Sequence, residues 1–331
     1  MPPRTSSIVT EEGPALDEET TLQVPEAAEH GLEPGTWPPA LRRFAFFRLV
    51  DSAIDQVDPA DRGRLAWEHV LDGLAHLAEP EDWAGSSADG RHLPILDSYL
   101  RYTYQRLVIE QKIAVTADGQ YAALNTGLLT PYAEAIFGLF QRNRREDLQP
   151  WFFLRWASES DRDILRHFPS PPDLAEYVSD PADLVYDWRR RLMPAYDHIL
   201  TDNIDRFPAD LSTHPVRAKQ ALDAAIEWAV KRARRNYKVI VPQWYPKLGE
   251  AGAQFLLPLD LTGEPGADLA LVVSAVGKFY RGHTVLTLDM AYTNARLVAR
   301  PDSEWLKPTP LPLRLMDEGD EDGESTSSRP R

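Results

Sequence analysis

The fold of this chain is decided by residues 231–300. They contain the segments KRARRNYKVIVPQWYP (231–246), AQFLLPLDL (253–261) and ADLALVVSAVGKFYRGHTVLTLDMAYTNARLVAR (267–300). Short apolar or alternating runs bounded by Gly and Pro predict four strands here, at 237–241, 254–261, 269–276 and 278–292. The third is apolar on both faces and is expected at the centre of a mainly antiparallel sheet.

Two of these predicted strands carry unusual residues. Pro258 lies within the second strand, which indicates an edge strand or a bulge. Asp289 lies within the last strand, and a carboxylate buried there would need a partner. Arg296, Arg300 or Lys238 could supply it, so Asp289 belongs either to a structural ion pair or to a functional site.

A long helix precedes the sheet. Thr213 is its predicted N-cap and Pro215 lies in its first turn. Its last turn holds Lys231, Arg232, Arg234 and Arg235. Cations complement the carboxyl end of a helix dipole, but four of them exceed what that end needs. A phosphate-attracting patch is one interpretation, and a solvated surface is the other.

The N-terminal half predicts mostly helices, at 41–57, from Pro59 to Pro80, at 95–113 and at 131–143. A hairpin at 112–127 and a buried strand at 151–158 interrupt them. We therefore predict an α+β fold, with a helical N-terminal half packed on a mainly antiparallel sheet from the C-terminal half. Residues 41–307 form the single domain, between disordered acidic tails at 1–40 and 308–331, the second of which contains prolines.

Composition excludes several functional classes. The chain has no cysteine, which excludes disulfides, zinc–thiolate sites and cysteine nucleophiles. The N-terminus lacks a signal-peptide core and no run of 18 apolar residues occurs, so we expect a cytoplasmic protein without a membrane partner. Of the net charge of −15, residues 1–40 carry −7, residues 301–331 carry −4, and the 260 residues between them carry −4. The domain is therefore near charge balance.

Two polar groups in the N-terminal and middle parts are candidates for function. Asn125 and Thr126 end the predicted hairpin, where they either bind a ligand or cap the helix predicted after them. His198 and Asp202 are spaced i, i+4, followed by Asn203 and Arg206. That group could do acid–base work or hold a hard metal, or it could be a hydrogen-bond network in which Arg206 pairs with a neighbouring Asp.

Standard dinucleotide, phosphate-loop, zincin, hydrolase-elbow and ligase motifs are absent from the sequence. Six ordered blocks instead carry a resemblance: 95–107, 123–140, 197–208, 234–246, 255–261 and 283–306. With their NTGL, HI–DN–RFP, NYK–VPQ, LPL and LTLDMAY–NARL patterns, they resemble an uncharacterised bacterial domain-of-unknown-function family, from about Glu81 to Trp305. Related proteins sometimes carry this domain beside LOTUS-type (OST-HTH) RNA-binding modules, which implies an RNA-linked role by context. Residues 1–40 of this chain do not resemble such a module.

The leading functional hypothesis is an RNA- or nucleotide-binding domain in bacterial RNA metabolism, with phosphate chemistry as an option. Lys238, Arg296 and Arg300 would contact phosphate, and Tyr237, Tyr245 and Tyr292 would stack on bases. Amides would bond base edges or sugar. The substrate-binding set that we predict is Asn125, Thr126, Asn203, Arg206, Asn236, Tyr237, Lys238, Gln243, Tyr292, Asn294, Arg296 and Arg300.

Two alternatives belong to other classes. One is a hydrolase or transferase acting on a phosphorylated small molecule, with His198 as general base or metal ligand and Asp289 as a further ligand. It requires both residues to share a cavity. The other is a non-enzymatic interaction scaffold, in which the Asn and Arg side chains of this set are buried struts bonded to one another. The sequence points to no cofactor and commits to no metal site.

Overall fold

The computed structural model describes residues 40–49, 58–85, 90–245, 254–264, 266–302 and 305–306. The predicted tails, 1–40 and 308–331, lie outside this part apart from Ala40. The domain boundaries therefore stay predictions. Residues 50–57 of the first predicted helix also lie outside it.

The described helices are α1 Leu41–Phe44, α2 Arg62–Leu77, α3 Pro94–Ile109, α4 Arg162–His167, α5 Tyr196–Asp202, α6 Ala209–Ser212, α7 Pro215–Ala233 and α8 Leu288–Val298. The strands are β1 Ala45–Phe46, β2 Ala114–Val115, β3 Tyr121–Leu129, β4 Ala135–Arg142, β5 Trp151–Ser158, β6 Arg191–Pro194, β7 Val241–Gln243, β8 Gln254–Leu259, β9 Leu269–Val276 and β10 Phe279–Leu286. Short 3₁₀ turns occupy Pro181–Leu184, Ile204–Arg206 and Tyr237–Val239.

The strands form two sheets, one from each half of the described chain. Sheet A has the order β1-β5-β4-β3-β2 and sheet B the order β6-β10-β9-β8-β7. All neighbouring pairs are antiparallel except β1 with β5 and β6 with β10. The α+β class and the mainly antiparallel C-terminal sheet are therefore confirmed, with β9 central in sheet B as predicted.

The elements stack in layers. One apolar core joins Leu124 and Phe140 of sheet A, Leu100 of α3, Ala295 of α8 and Val272 of sheet B, so α3 and α8 lie between the two sheets. Helix α2 packs on β5 of sheet A and on α3. The opposite face of sheet B packs on α7 through a second core. A smaller third core lies between sheet A and α4. The middle helix layer thus faces both sheets.

Four predicted elements are wrong. The helix predicted at 41–57 ends at Phe44, because Ala45–Phe46 form strand β1 and pair with β5. Residues 131–143, predicted as a helix, contain β4, because five consecutive buried residues of a central strand have no clear alternation and do not distinguish strand from helix. The strand predicted at 237–241 begins as a 3₁₀ turn. The last predicted strand ends at Leu286, and α8 begins with the side chain of Thr287 accepting from Met290 N. Asp289 is therefore a first-turn helix residue and not a strand residue.

Pro258 occupies a protected place in sheet B. Strand β7 pairs only with Gln254, Phe255 and Leu256 of β8. Pro258 lies beyond that segment and pairs with Ala270 of β9. Strand β8 is second from the edge of sheet B and its pairings show no register shift, so the predicted edge strand or bulge is not observed. Because β7 does not reach Pro258, the missing N–H breaks no β7–β8 bond.

None of the helices in the described ranges combines the length and apolar character that a membrane crossing requires.

Candidate functional site

A cavity of about 930 Å³ lies between the inner face of sheet B, α5 and the middle helices α3 and α8. We call it the large cavity. It brings together eight residues that the sequence singled out: His198, Asp202, Asn203, Arg206, Gln243, Tyr245, Asp289 and Asn294. They come from three separate regions of the chain, 198–206, 243–245 and 289–294. His198 and Asp289 both line this cavity, as the hydrolase hypothesis requires.

Two glutamines form the sheet wall of the large cavity. Gln243 and Gln254 are directly opposite each other on β7 and β8, and Gln243 Nε2 donates to Gln254 Oε1 at 2.9 Å. Gln243 is 1% exposed, yet its Oε1 has no hydrogen-bond partner within the described ranges. If both side-chain amides are rotated by 180°, Gln254 donates to Gln243 instead. One NH₂ group and one carbonyl oxygen of the pair then still remain for another partner. A buried acceptor without a partner costs about 1–3 kcal/mol, so this edge is suited to a ligand that donates to it.

Arg206 is held by backbone and not by a carboxylate. Its Nη1 donates to Val285 O at 2.6 Å and lies 3.5 Å from Thr284 Oγ1. No Asp or Glu of the described chain lies within ion-pair distance of it. The predicted pairing with a neighbouring Asp is therefore wrong. A half-buried guanidinium held in this way retains its charge for an anionic group in the cavity.

Two histidines lie at the same corner. His198 Nδ1 is 2.5 Å from Asp202 Oδ2, which leaves Nε2 for other contacts. His283 Nε2 is 2.6 Å from Ser274 Oγ. The register of β10 against β9 shifts between Gly282 and Thr284, so His283 is the bulged residue, and bulges re-aim side chains near functional sites. Burial, then Arg281 and His198, lower the pKa of His283 below its ordinary value.

Hydrogen bonds tie these two histidines to Arg206. Asn203 is 4% exposed; its Nδ2 donates to His198 O, and its Oδ1 accepts from Thr284 Oγ1 at 3.1 Å. Thr284 follows His283 and contacts Arg206. Asn203 therefore fixes α5 against β10, and its role as seen is positional.

The helix wall of the large cavity is mixed in character. Tyr102 of α3 and Tyr245 after β7 supply rings, while Asp289 and Asn294 of α8 supply polar groups. The Asn294 side chain makes no hydrogen bond to any other described residue. Asp289 lies beside Gly85, whose φ of +57° brings that loop close to α8. Arg91 is exposed at the rim.

Asn125 and Thr126 lie away from the large cavity, inside sheet A. Asn125 Nδ2 donates to Pro172 O and its Oδ1 accepts from Gly127 N. Thr126 Oγ1 donates to Ile136 O at 2.7 Å and accepts from Leu128 N. They cap no helix, because β4 stands where that helix was predicted. Both side chains join strand β3 to neighbouring backbone, and a ligand role for them stays a prediction.

Tyr292, Arg296 and Arg300 gather around Glu81, and we call these four residues the Glu81 cluster. Arg296 Nε donates to both Glu81 oxygens, at 2.8 and 3.0 Å, and Tyr292 OH donates to Oε1 at 2.9 Å. Arg300 donates to Pro80 O and approaches Glu81 at 3.9 Å. The side chains of Arg296 and Glu81 are 11% and 3% exposed. Burial raises the pKa of Tyr292 well above its usual range.

The Arg296 guanidinium also lies over the rings of Trp83 and Tyr99. A second cavity of about 250 Å³ adjoins the cluster. Trp83 Nε1 is buried there without a hydrogen-bond partner in the described chain. Since both buried charges of the cluster are paired, the arrangement is that of a structural bridge between α8 and residues 79–83.

Asn236, Tyr237 and Lys238 lie outside both cavities. Asn236 Oδ1 accepts from Lys238 N and so begins the 3₁₀ turn. Tyr237 is exposed, and Lys238 Nζ lies 3.8 Å from Asp302. In the basic cluster, Lys231 pairs with Glu227 and Arg232 approaches Asp260. The phosphate and stacking roles predicted for these residues stay predictions.

Sequence reasoning missed Gln254, His283 and Glu81 as functional or structural residues. Gln254 begins an otherwise apolar strand, and His283 interrupts β10 next to Gly282; both are polar residues in buried strands, which is a usable signal. Glu81 gave no such signal, because it lies in a loop where carboxylates are common. Among the described residues, no group of three or more His, Asp or Glu side chains is placed to hold a metal ion.

The fold and site define an α+β protein with a cavity of mixed polar and apolar lining between a middle helix layer and a sheet. The chain belongs to the family described as Domain of unknown function (DUF3825), whose model matches residues 74–305. That match covers the large cavity and the Glu81 cluster. No curated protein and no solved structure matches the chain. The resemblance to a domain-of-unknown-function family is thus confirmed, while bacterial origin and LOTUS neighbours stay predictions.

Proposed function

We propose that the large cavity binds a nucleotide, either free or as one residue of a single-stranded RNA. The observation that carries this proposal is the unpartnered acceptor of Gln243, buried on the wall of the large cavity. A volume of about 930 Å³ is at the upper end of the usual size of small-ligand sites, about 300–1,000 Å³.

The Gln243–Gln254 edge suits a nucleobase. It offers one acceptor and one amide donor side by side, and the amide or amidine edges of nucleobases present the complementary donor and acceptor. Glutamine amides read adenine in this way in nucleic-acid complexes. Tyr102 and Tyr245 are the aromatic side chains of the large cavity on which a base can stack.

The Arg206 corner suits the phosphate. Arg206 has no carboxylate partner among the described residues and lines the same space as the glutamines. Arg91 lies at the rim. The near-neutral charge of residues 41–300 means that long-range attraction contributes little, so affinity would come from these local contacts. The basic cluster on α7 is in part neutralised by Glu227 and Asp260, which favours the cavity over that surface.

Calorimetric titration of the full chain tests this proposal. The ligands are the four ribonucleoside monophosphates and a short mixed-sequence RNA with 2′-O-methyl groups, so that free nucleotide and RNA are measured separately. Gln243→Leu is expected to weaken binding about 10- to 100-fold, from the loss of one bidentate edge. Gln141→Leu, the same change on β4 outside the large cavity, is expected to bind normally. Absence of saturable binding to every ligand overturns the proposal.

A further inference from the structure

The two histidines of the large cavity have different surroundings. His198 is about half exposed and contacts the carboxylate of Asp202. When protonated it forms an ion pair there. His283 is half-buried on the bulge of β10, between Gly282 and Thr284. It is hydrogen-bonded to the hydroxyl of Ser274. Titratable groups that lie close together in unlike environments are the usual arrangement of an acid and a base.

Arg206 lies with them. Asn203 bonds both the His198 carbonyl and Thr284, and Thr284 contacts Arg206. The corner therefore holds two imidazoles and the guanidinium of Arg206, which has no carboxylate partner among the described residues. The other charged groups that line the same space are Arg91, Asp202 and Asp289, and Arg281 is on the strand of His283.

We infer that this corner cleaves a phosphodiester of single-stranded RNA by acid–base catalysis, with His283 as the base and His198 as the acid. The inference rests on the proposed function, since the nucleotide in the large cavity supplies the reacting groups. The lowered pKa of His283 keeps its imidazole neutral near pH 7, which a base requires. The contact of His198 Nδ1 with Asp202 orients the ring and leaves Nε2 to give a proton to the leaving oxygen.

The reaction balances without a redox partner. The ribose 2′-oxygen attacks phosphorus and its proton goes to His283. The bond between phosphorus and the 5′-oxygen breaks, and His198 gives its proton to that oxygen. The products are a 2′,3′-cyclic phosphate and a 5′-hydroxyl. Arg206 contacts the non-bridging oxygens, whose negative charge grows in the transition state.

The test follows cleavage of an end-labelled mixed-sequence single-stranded RNA by the full chain, in the presence of a chelator. Wild type is expected to yield a 2′,3′-cyclic phosphate end. His198→Asn and His283→Asn are each expected to slow cleavage about 100-fold or more, the usual contribution of a general acid or base. His76→Asn, an exposed histidine on α2, is the matched control and is expected to cleave like wild type.

The outcomes separate the inference from the proposed function. Calorimetry with the 2′-O-methyl RNA, which cannot react, reports binding alone, and both histidine variants are expected to bind it within a few-fold of wild type. Binding without cleavage overturns the inference and leaves the proposed function standing. Absence of binding overturns both. Equal cleavage by wild type and both variants also overturns the inference, because a contaminating nuclease would behave in that way.

Discussion

The large cavity and the Glu81 cluster are both rich in polar side chains, but their bonding differs. In the Glu81 cluster the buried carboxylate and guanidinium satisfy each other, and Tyr292 completes the pair. In the large cavity Gln243 keeps a free acceptor, and Arg206 has no carboxylate partner among the described residues. Buried polar groups are nearly always bonded. Trp83 Nε1 beside the cluster is also unbonded, so the pairing of the charged groups is what distinguishes the cluster from the large cavity. The paired charges of the cluster fit the scaffold hypothesis, and the unbonded groups of the large cavity support the binding that we propose for it.

The largest expected effect is on the Glu81 cluster. Arg296→Met would leave the Glu81 carboxylate buried without its guanidinium, and breaking a buried ion pair in this way costs about 3–5 kcal/mol. Urea denaturation of the full chain measures it. Arg300→Met, which removes a half-exposed cation 3.9 Å from Glu81, should cost less than about 1 kcal/mol. Equal losses from the two variants would contradict the assignment of a strut.

The next effect concerns the phosphate end of the large cavity. Arg206→Gln is expected to weaken binding of a nucleotide by about 1.5–3 kcal/mol, the range of hydrogen bonds to charged groups. Binding of the corresponding nucleoside, which has no phosphate, should not change. Calorimetry with both ligands measures the difference. A parallel loss for nucleoside and nucleotide would show that Arg206 acts through the structure of β10 and not through phosphate.

A smaller effect, opposite in kind to that of Arg296→Met, is expected at the glutamine edge. The double variant Gln243→Leu/Gln254→Leu removes both partners of the pair and the unbonded acceptor together. Replacing both members of a buried hydrogen bond with apolar groups is close to neutral or stabilising. Urea denaturation should therefore show little or no loss of stability. A loss like that of Arg296→Met would mean that the glutamines are struts too.

The smallest effect is the pH dependence of stability at His283. Because its folded pKa is lowered, the unfolded chain binds this proton at a higher pH than the folded chain. Protonation therefore favours unfolding. The penalty is absent well above the ordinary histidine pKa of 6.5 and grows as the pH falls through it. Wild type should lose more stability than His283→Asn between neutral and mildly acidic pH. Parallel denaturation midpoints across that range would contradict the shift.

Much of the fold could be predicted from the sequence because local patterns and tertiary structure agree there. Helix α7, the β2–β3 hairpin and strands β5, β8 and β9 lie where the periodicity places them. Prediction failed where a segment is buried on both sides. Strand β4 is the clearest case, since burial on both faces removes the alternation that distinguishes a strand.

Helix α8 failed for a different reason. The alternation of β10 continues by chance through Leu288 and Met290, past the Thr287 cap. The spacing of Ala291, Tyr292 and Ala295, all of them buried, is typical of a helix. This helical signal conflicted with the alternating pattern of a strand. A capping threonine before a new apolar period was the evidence to prefer.

The candidate site could be predicted in part, because polar residues that interrupt apolar strands or end helices are recognisable singly. His198 and Arg206 were found in this way, whereas Gln243 was named only through the family resemblance. The sequence does not predict that Arg296 and Tyr292 lie at the Glu81 cluster and not in the large cavity. That separation depends on which layer each side chain faces in the folded protein. Asn294 and Arg296 are two positions apart on α8, yet one lines the large cavity and the other meets Glu81.

That placement on α8 has a thermodynamic consequence. The ion pair on one side of the helix fixes the wall that Asn294 presents on the other side, before any ligand arrives. This wall is already ordered in the folded protein, so ligand binding does not have to order it. A preorganised receptor loses less conformational entropy on association and retains more of its contact energy as affinity.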